Sequence, residues 1–166
     1  MKKALLSVMA LIVLFALAPV MAAPAIKTLF TAEASFVPGN IDPGEEWTTK
    51  DGIYHVKGQV GTGFVTGDIS GWLTIVRHAI LDLNTGEGSC HGKIVIDVDG
   101  VGSFEGSEQS TITLWGASIS GTFLAHGTGM YEGRTMMGSF EGGVNIVDGV
   151  KTVVAEFKGI ILSPQG

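Results

Sequence analysis

The stretch YHVKGQVGTGFVTG, residues 54–67, carries the two patterns that decide the fold class of this chain. In its first half, apolar or small residues alternate with polar ones, so Tyr54, Val56 and Val60 share one face of an extended strand. In its second half, glycine recurs in the pattern Gly-x-Gly-x-x-x-Gly. The alternation predicts a half-buried antiparallel strand, and the glycines predict that this strand is sharply coiled.

The same alternation recurs along the chain, most regularly in residues 30–36 and 153–161, and no amphipathic helical period is present after residue 25. Asp-Gly pairs, which favour type I′ hairpin turns, separate these segments: Asp51-Gly52, Asp99-Gly100 and Asp148-Gly149. The segments between turns predict an all-β domain of about eight strands. We expect a closed antiparallel barrel, because closure removes exposed strand edges. A two-sheet β-sandwich is the alternative.

The glycine pattern occurs four times, the last time truncated: in residues 61–67, 100–106, 127–133 and 138–142. If each copy is a strand, its glycines share one face with an aromatic residue such as Phe104 or Tyr131, which can then lie over bare backbone. No helix is predicted after any copy, and this excludes a phosphate-binding glycine loop.

A resemblance to the allene oxide cyclase and dirigent superfamily lies in Gly127-Thr128-Gly129-Met130-Tyr131-Glu132-Gly133 and the following Gly138-Ser139-Phe140. These residues are similar to the glycine strand of that superfamily. The resemblance implies an exported or plastid-targeted barrel of about eight strands, often a dimer or trimer, and an isomerase or cyclase activity in those members that are enzymes. No catalytic or substrate-guiding residue of the superfamily can be matched to a position in this chain.

Residues 1–22 have the order of a secretory signal peptide. Two lysines precede an apolar stretch, residues 4–18, which is shorter than the roughly 20 residues needed to span a bilayer. Small residues then predict cleavage after Ala22, or one residue later. We therefore expect a secreted or periplasmic protein with one barrel domain, residues 23–166, and membrane contact only through the signal peptide.

Acidic residues outnumber basic ones by 16 to 10, and the formal net charge is −6. Because Lys2 and Lys3 leave with the signal peptide, the mature chain has a net charge of about −8, with its cations scattered. Nucleic-acid binding, which needs clustered lysine and arginine, is excluded as a function class.

Cys90 is the only cysteine. It shares a period-2 face with Ile94 and Ile96, which predicts a small buried hydrophobe rather than a nucleophile. His91 follows it, but neighbours in a strand point to opposite faces, so no thiol–imidazole pair is expected. The four histidines are too widely spaced to indicate a metal site, and no cofactor is expected.

His126 is the first candidate for catalysis, with Glu132 or Arg134 beside it, provided that its strand face lines the barrel lumen. The alternative is that this face, which is rich in serine, threonine and histidine, is solvated. The candidates for ligand binding are aromatic: Trp72, Trp115 and Tyr131. Residues 72–81 are apolar on both faces, which is typical of a strand covered on both sides and indicates a homo-oligomer.

Three functions fit these patterns. The one that the sequence favours is a barrel that binds or steers a small apolar ligand in its lumen. The others are an isomerase or cyclase of the kind that the resemblance implies, and a non-catalytic extracellular structural or interaction module. A pocket of several hundred Å³ with convergent polar groups would favour the first two, whereas a lumen filled with side chains would favour the third.

Overall fold

A computed structural model describes residues 24–165 of the chain. Within them the chain forms nine strands: β1 (Ile26–Asp42), β2 (Glu45–Thr48), β3 (Ile53–Gly67), β4 (Gly71–Asp82), β5 (Glu87–Val98), β6 (Gly102–Thr113), β7 (Ser118–Gly127), β8 (Thr135–Val147) and β9 (Val150–Ser163). Two single 3₁₀ turns, Leu114–Gly116 and Gly129–Tyr131, are the helical elements of this part of the chain. The predicted all-β class is confirmed.

Eight of these strands form a closed antiparallel barrel. From β3 to β9 each strand pairs with the next one along the chain, and β1 closes the sheet by pairing with both β9 and β3. The short β2 lies outside the barrel and pairs with β3 from Glu45–Lys57 to Thr48–Tyr54, beyond the part of β3 that β1 covers. Closure through β1 excludes the β-sandwich alternative.

The hairpin turns follow from their Asp-Gly pairs. At Asp99-Gly100 and Asp148-Gly149 all four residues have positive φ, between 49° and 80°, as a type I′ turn requires. The turn before β3 is not of type I′, because only Gly52 has a positive φ there. The Gly52 amide donates to the carbonyl of Thr49. Loops 68–70 and 99–101 and the turn Gly129–Tyr131 gather at one end of the barrel, called here the Tyr131 end. Loops 83–86, 114–117 and 148–149 form the opposite, Trp115 end.

The core of the protein lies inside the barrel. Every barrel strand turns one alternating face inward, and the inward residues pack into a single apolar cluster. Phenylalanine rings fill its centre, since the Phe157 ring lies 5.2 Å from both Phe123 and Phe140 between centroids. The lumen is therefore the hydrophobic core of this domain.

The strand glycines permit close approach between neighbouring strands. A Cβ atom at Gly63 would lie 2.5 Å from the Cα atom of Phe36, and one at Gly106 would lie 2.5 Å from the Cα atom of Ala125. No side chain tolerates such distances. At these positions glycine is therefore required by the close approach of the neighbouring strand.

The third glycine copy is not a strand, and here the prediction from the pattern is wrong. β7 ends at Gly127, and Gly129–Tyr131 forms a 3₁₀ turn. Gly129 and Gly133 have φ of 59° and 80°, which redirect the chain across the Tyr131 end. Tyr131 then packs on Phe104, with ring centroids 4.9 Å apart, and covers the lumen.

The predicted signal peptide, residues 1–22, and its cleavage site lie outside the described residues. Between residues 24 and 165, no helix is long and apolar enough to cross a membrane. The apolar run 72–81 lies within β4, so the predicted strand is confirmed.

Candidate functional site

The three catalytic candidates lie outside the lumen. His126 is exposed on the outward face of β7, and its Nδ1 lies 3.3 Å from the hydroxyl of Thr135. Glu132 is exposed in the loop after Tyr131, and the Arg134 guanidinium lies over the Tyr131 ring, 5.3 Å from its centroid. Since the face of His126 is solvated, the condition for acid–base chemistry inside the barrel is not met.

The three aromatic candidates for ligand binding do not converge. Trp72 lies on the outer wall near the Tyr131 end, while Trp115 lies at the opposite end, where its amide donates to the carbonyl of Gly86. Tyr131 is half-buried over Phe104. No single ligand can contact all three.

Cys90 and His91 point to opposite faces of β5, as expected. Cys90 is buried in the lumen. The His91 ring stacks on His78 of β4 on the outer wall, with centroids 5.3 Å apart. The two side chains cannot act as a pair.

The cavity inside the lumen is small. Its volume is about 40 Å³, and it lies toward the Trp115 end, among isoleucine and phenylalanine side chains with a few polar groups at its edge. Ligand sites for small molecules are roughly 300–1,000 Å³. The lumen is thus filled with side chains. The main lining residues are Phe36, Ile94, Ile112, Ile119, Phe140 and Phe157.

A buried polar group lies beside this cavity and was not singled out by the sequence analysis. Glu108 of β6 is 8 % exposed, and its Oε1 accepts a hydrogen bond from the Cys90 thiol at 3.5 Å. Its Oε2 has no hydrogen-bond partner among the described residues. On the other side, Arg77 Nε donates to Gln59 Oε1 at 2.8 Å, and a bulge in β3 before Gln59 turns that side chain inward.

Burial sets the protonation of this polar group. Loss of solvation raises the pKa of the Glu108 carboxyl above its usual value. Burial, together with the nearby Glu108 charge, raises the pKa of Cys90 to about 12. The Arg77 charge opposes both shifts without cancelling them. At neutral pH the thiol is protonated and is not an activated nucleophile.

A sequence signal for this group exists. Arg77 follows Leu73 and Ile75 on the inward face of β4, and Glu108 lies between Phe104 and Ile112 on the inward face of β6. A charged residue at an inward position of an alternating strand therefore predicts a buried polar group in the lumen.

The outer wall near the Tyr131 end carries exposed aromatic side chains. Phe64 and Trp72 lie opposite each other on β3 and β4, with ring centroids 4.5 Å apart and an edge-to-face angle of 89°. Phe64 is 56 % and Trp72 46 % exposed. Asp97 of β5 lies directly opposite Trp72, and Asp99 follows in the turn. These four residues line a groove of about 380 Å³, called here the outer groove.

A wider hollow crosses the outer faces of β4 to β7 and has a volume of about 810 Å³. Its lining combines polar side chains, such as His78, His91 and Gln109, with apolar ones, such as Val76, and more of the lining surface is apolar than polar. Leu124, 43 % exposed, is the large apolar side chain on its rim. This hollow is open to solvent and has both polar and apolar walls.

Comparison of the chain with protein-family models, curated proteins and solved structures finds no significant match. In the part of the chain that the structure describes, no three histidine, cysteine, aspartate or glutamate residues are grouped so that they could hold a metal ion.

Proposed function

We propose that this protein is an exported, non-catalytic interaction module that binds a partner through its outer wall. The observation that carries the proposal is the filled lumen, whose free volume of about 40 Å³ is far below that of small-molecule sites. Export is supported by the signal-peptide order of residues 1–22.

The packing of the lumen supports this function over the two that need internal space. A ligand of even a few carbon atoms would have to displace the stacked rings of Phe140 and Phe157, which are 5.2 Å apart. Removing such contacts without collapse costs several kcal/mol, about 3–5 for a buried phenylalanine. An isomerase or cyclase that holds its substrate in an apolar cavity needs the same space, so its substrate would also have to displace these rings.

A second candidate function is a barrel that binds a very small apolar ligand in the lumen. The observation in its favour is that the cavity beside Glu108 has apolar walls and one buried carboxyl whose pKa is raised by burial. Apolar cavities stay dry and accept apolar guests that match their volume. The superfamily resemblance favours this candidate as well.

The two candidates are separated by titrating the protein with benzene and with dodecanoate while recording methyl NMR spectra of Ile94 and Ile112. For an interaction module we expect no saturable shift in the wild type. Phe157→Ala, which opens the lumen, should bind benzene, and Phe157→Leu serves if the alanine variant does not fold. A saturable shift of the wild-type lumen methyls with either compound would reject the proposal in favour of a lumen ligand.

A further inference from the structure

We infer that the outer groove docks a basic segment of another protein, with an arginine or lysine side chain placed between the aromatic rings and the carboxylates of Asp97 and Asp99. The inference rests on the proposed function and names the class of partner that this wall would bind. Phe64 and Trp72 form its aromatic side.

The aromatic side of the outer groove is suited to a cation. Phe64 and Trp72 are both about half exposed, and they meet edge to face, so at least one of the two rings has neither of its faces covered by the other. A cation attracted to the face of a tryptophan or phenylalanine ring gains energy from the ring quadrupole. An arginine adds planar stacking on the same surface.

The acidic side supplies the charge complement. Asp97 is the cross-strand neighbour of Trp72, and such neighbours have Cβ atoms about 4.5–5.5 Å apart. Among the described residues, Asp97 and Asp99 take part in no side-chain hydrogen bond and no ion pair. None of the residues that line the groove is basic. The chain as a whole is acidic, with a net charge of −6, so it attracts a basic partner at long range.

The groove is also rigid before binding. Phe64, Trp72 and Asp97 stand in one row on three hydrogen-bonded strands, and Asp99 is held in a type I′ turn with φ of 49°. A preorganised surface loses little side-chain entropy when a partner binds. Space around Gly100 is open, with no atom within 4 Å of a Cβ placed there, so a partner can approach from the Tyr131 end.

The test uses the indole N–H signals of the three tryptophans in one ¹H–¹⁵N spectrum of the protein. The probe is the peptide acetyl-Gly-Arg-Gly-Arg-Gly-amide, added to ~5 mM, a range that detects millimolar dissociation constants. We expect a saturable shift of the Trp72 signal. Trp47 and Trp115, which lie toward the other end of the barrel, should not shift.

Matched variants separate docking from general charge attraction. Asp97→Asn with Asp99→Asn should weaken binding about three- to tenfold, whereas Asp51→Asn with Asp148→Asn, the same change at turns of the opposite end, should leave it unchanged. Asparagine tolerates positive φ, so the turns at Asp99 and Asp148 keep their conformation. Binding should also weaken in about 0.5 M NaCl.

Several results would overturn the inference. They are no Trp72 shift, an equal shift of all three tryptophans, equal binding of a peptide with glutamine in place of arginine, and equal weakening by the two double variants. A Trp72 shift that follows protein concentration without peptide, with dimers in sedimentation, would assign the groove to a second copy of this chain. None of these results changes the outcome of the benzene and dodecanoate titration, so failure here is distinguishable from failure of the proposed function.

Discussion

Replacing Glu108 by methionine should stabilise the protein. The Oε2 atom of this buried carboxyl has no hydrogen-bond partner among residues 24–165, and an unsatisfied buried acceptor costs about 1–3 kcal/mol. The substitution gives up one hydrogen bond from the Cys90 thiol, which at 3.5 Å is weak, and the attraction of the Arg77 charge, which only partly offsets the cost of burying the carboxyl. The net gain should be about 1–2 kcal/mol, because an apolar side chain of similar length fits the apolar cavity wall.

Chemical denaturation measures this change directly, and thermal melting should show a Tm higher by about 3–6 °C. Glu105→Met, on the outward face of the same strand, is the control and should change stability by no more than about 0.5 kcal/mol. A loss of stability in Glu108→Met would refute the reasoning, since it would mean that the carboxylate has a favourable partner in the lumen.

The pH dependence follows from the direction of the Glu108 pKa shift. Burial raises the pKa of this group in the folded state above its unfolded value of 4.5. The folded protein therefore binds the proton more tightly, and the resulting stability is fully present below pH 4.5 and is lost as the pH rises through the folded pKa. Glu108→Gln does not titrate, so its advantage over the wild type should grow above pH 4.5. An advantage that shrinks with rising pH would contradict the sign.

Three further predictions concern glycines and export. Gly129→Val should destabilise by about 2–4 kcal/mol in denaturant melts, because of its φ of 59° and its contact with a backbone carbonyl; a neutral result would contradict this. Gly86→Ala should lower the free energy of unfolding more than Gly100→Ala. Both glycines have a positive φ, but only a Cβ atom at Gly86 would contact the Trp115 ring, at 2.7 Å. Equal losses in the same melts would show that the Trp115 ring moves to make room. Mass spectrometry of the native protein should find an N-terminus at Ala23 or one residue later, and an intact N-terminus in a membrane fraction would indicate an anchor instead.

The strands and the closure of the barrel could be predicted because their determinants are local. Alternation assigned the faces of β5, and Asp148-Gly149 specifies the type I′ geometry that its φ angles show. In β3 the prediction that Val56 and Val60 share a face is wrong, because the bulge before Gln59 turns Gln59 inward and places Val60 on the outer face. Closure followed from the need to cover strand edges. The outside strand β2 could not be predicted from local patterns. It pairs with the part of β3 that β1 leaves uncovered, and where β1 ends on β3 depends on the closure of the barrel.

The turn at Gly129 and the filled lumen could not be predicted, for different reasons. The residues 127–133 have the same pattern as 100–106, but the two segments differ in where φ becomes positive, which spacing does not reveal. Whether the lumen is empty depends on how far inward rings such as Phe157 reach in a given barrel, a property of register and stagger rather than of alternation. The buried carboxyl of Glu108 was detectable, since an acidic residue lies at an inward position between Phe104 and Ile112.

The pairing of β1 with β9 has a consequence for how the protein is made. Ile26 pairs with Ser163, so the barrel closes between residues near the two ends of the described chain. Contacts of such long sequence separation form late and slow folding, because the entropy of closing the largest loop opposes them. Until β9 has left the ribosome, β1 lacks its partner along eleven residue pairs and presents an open edge to other chains. We therefore expect the risk of aggregation to be greatest before β9 is available to pair with β1.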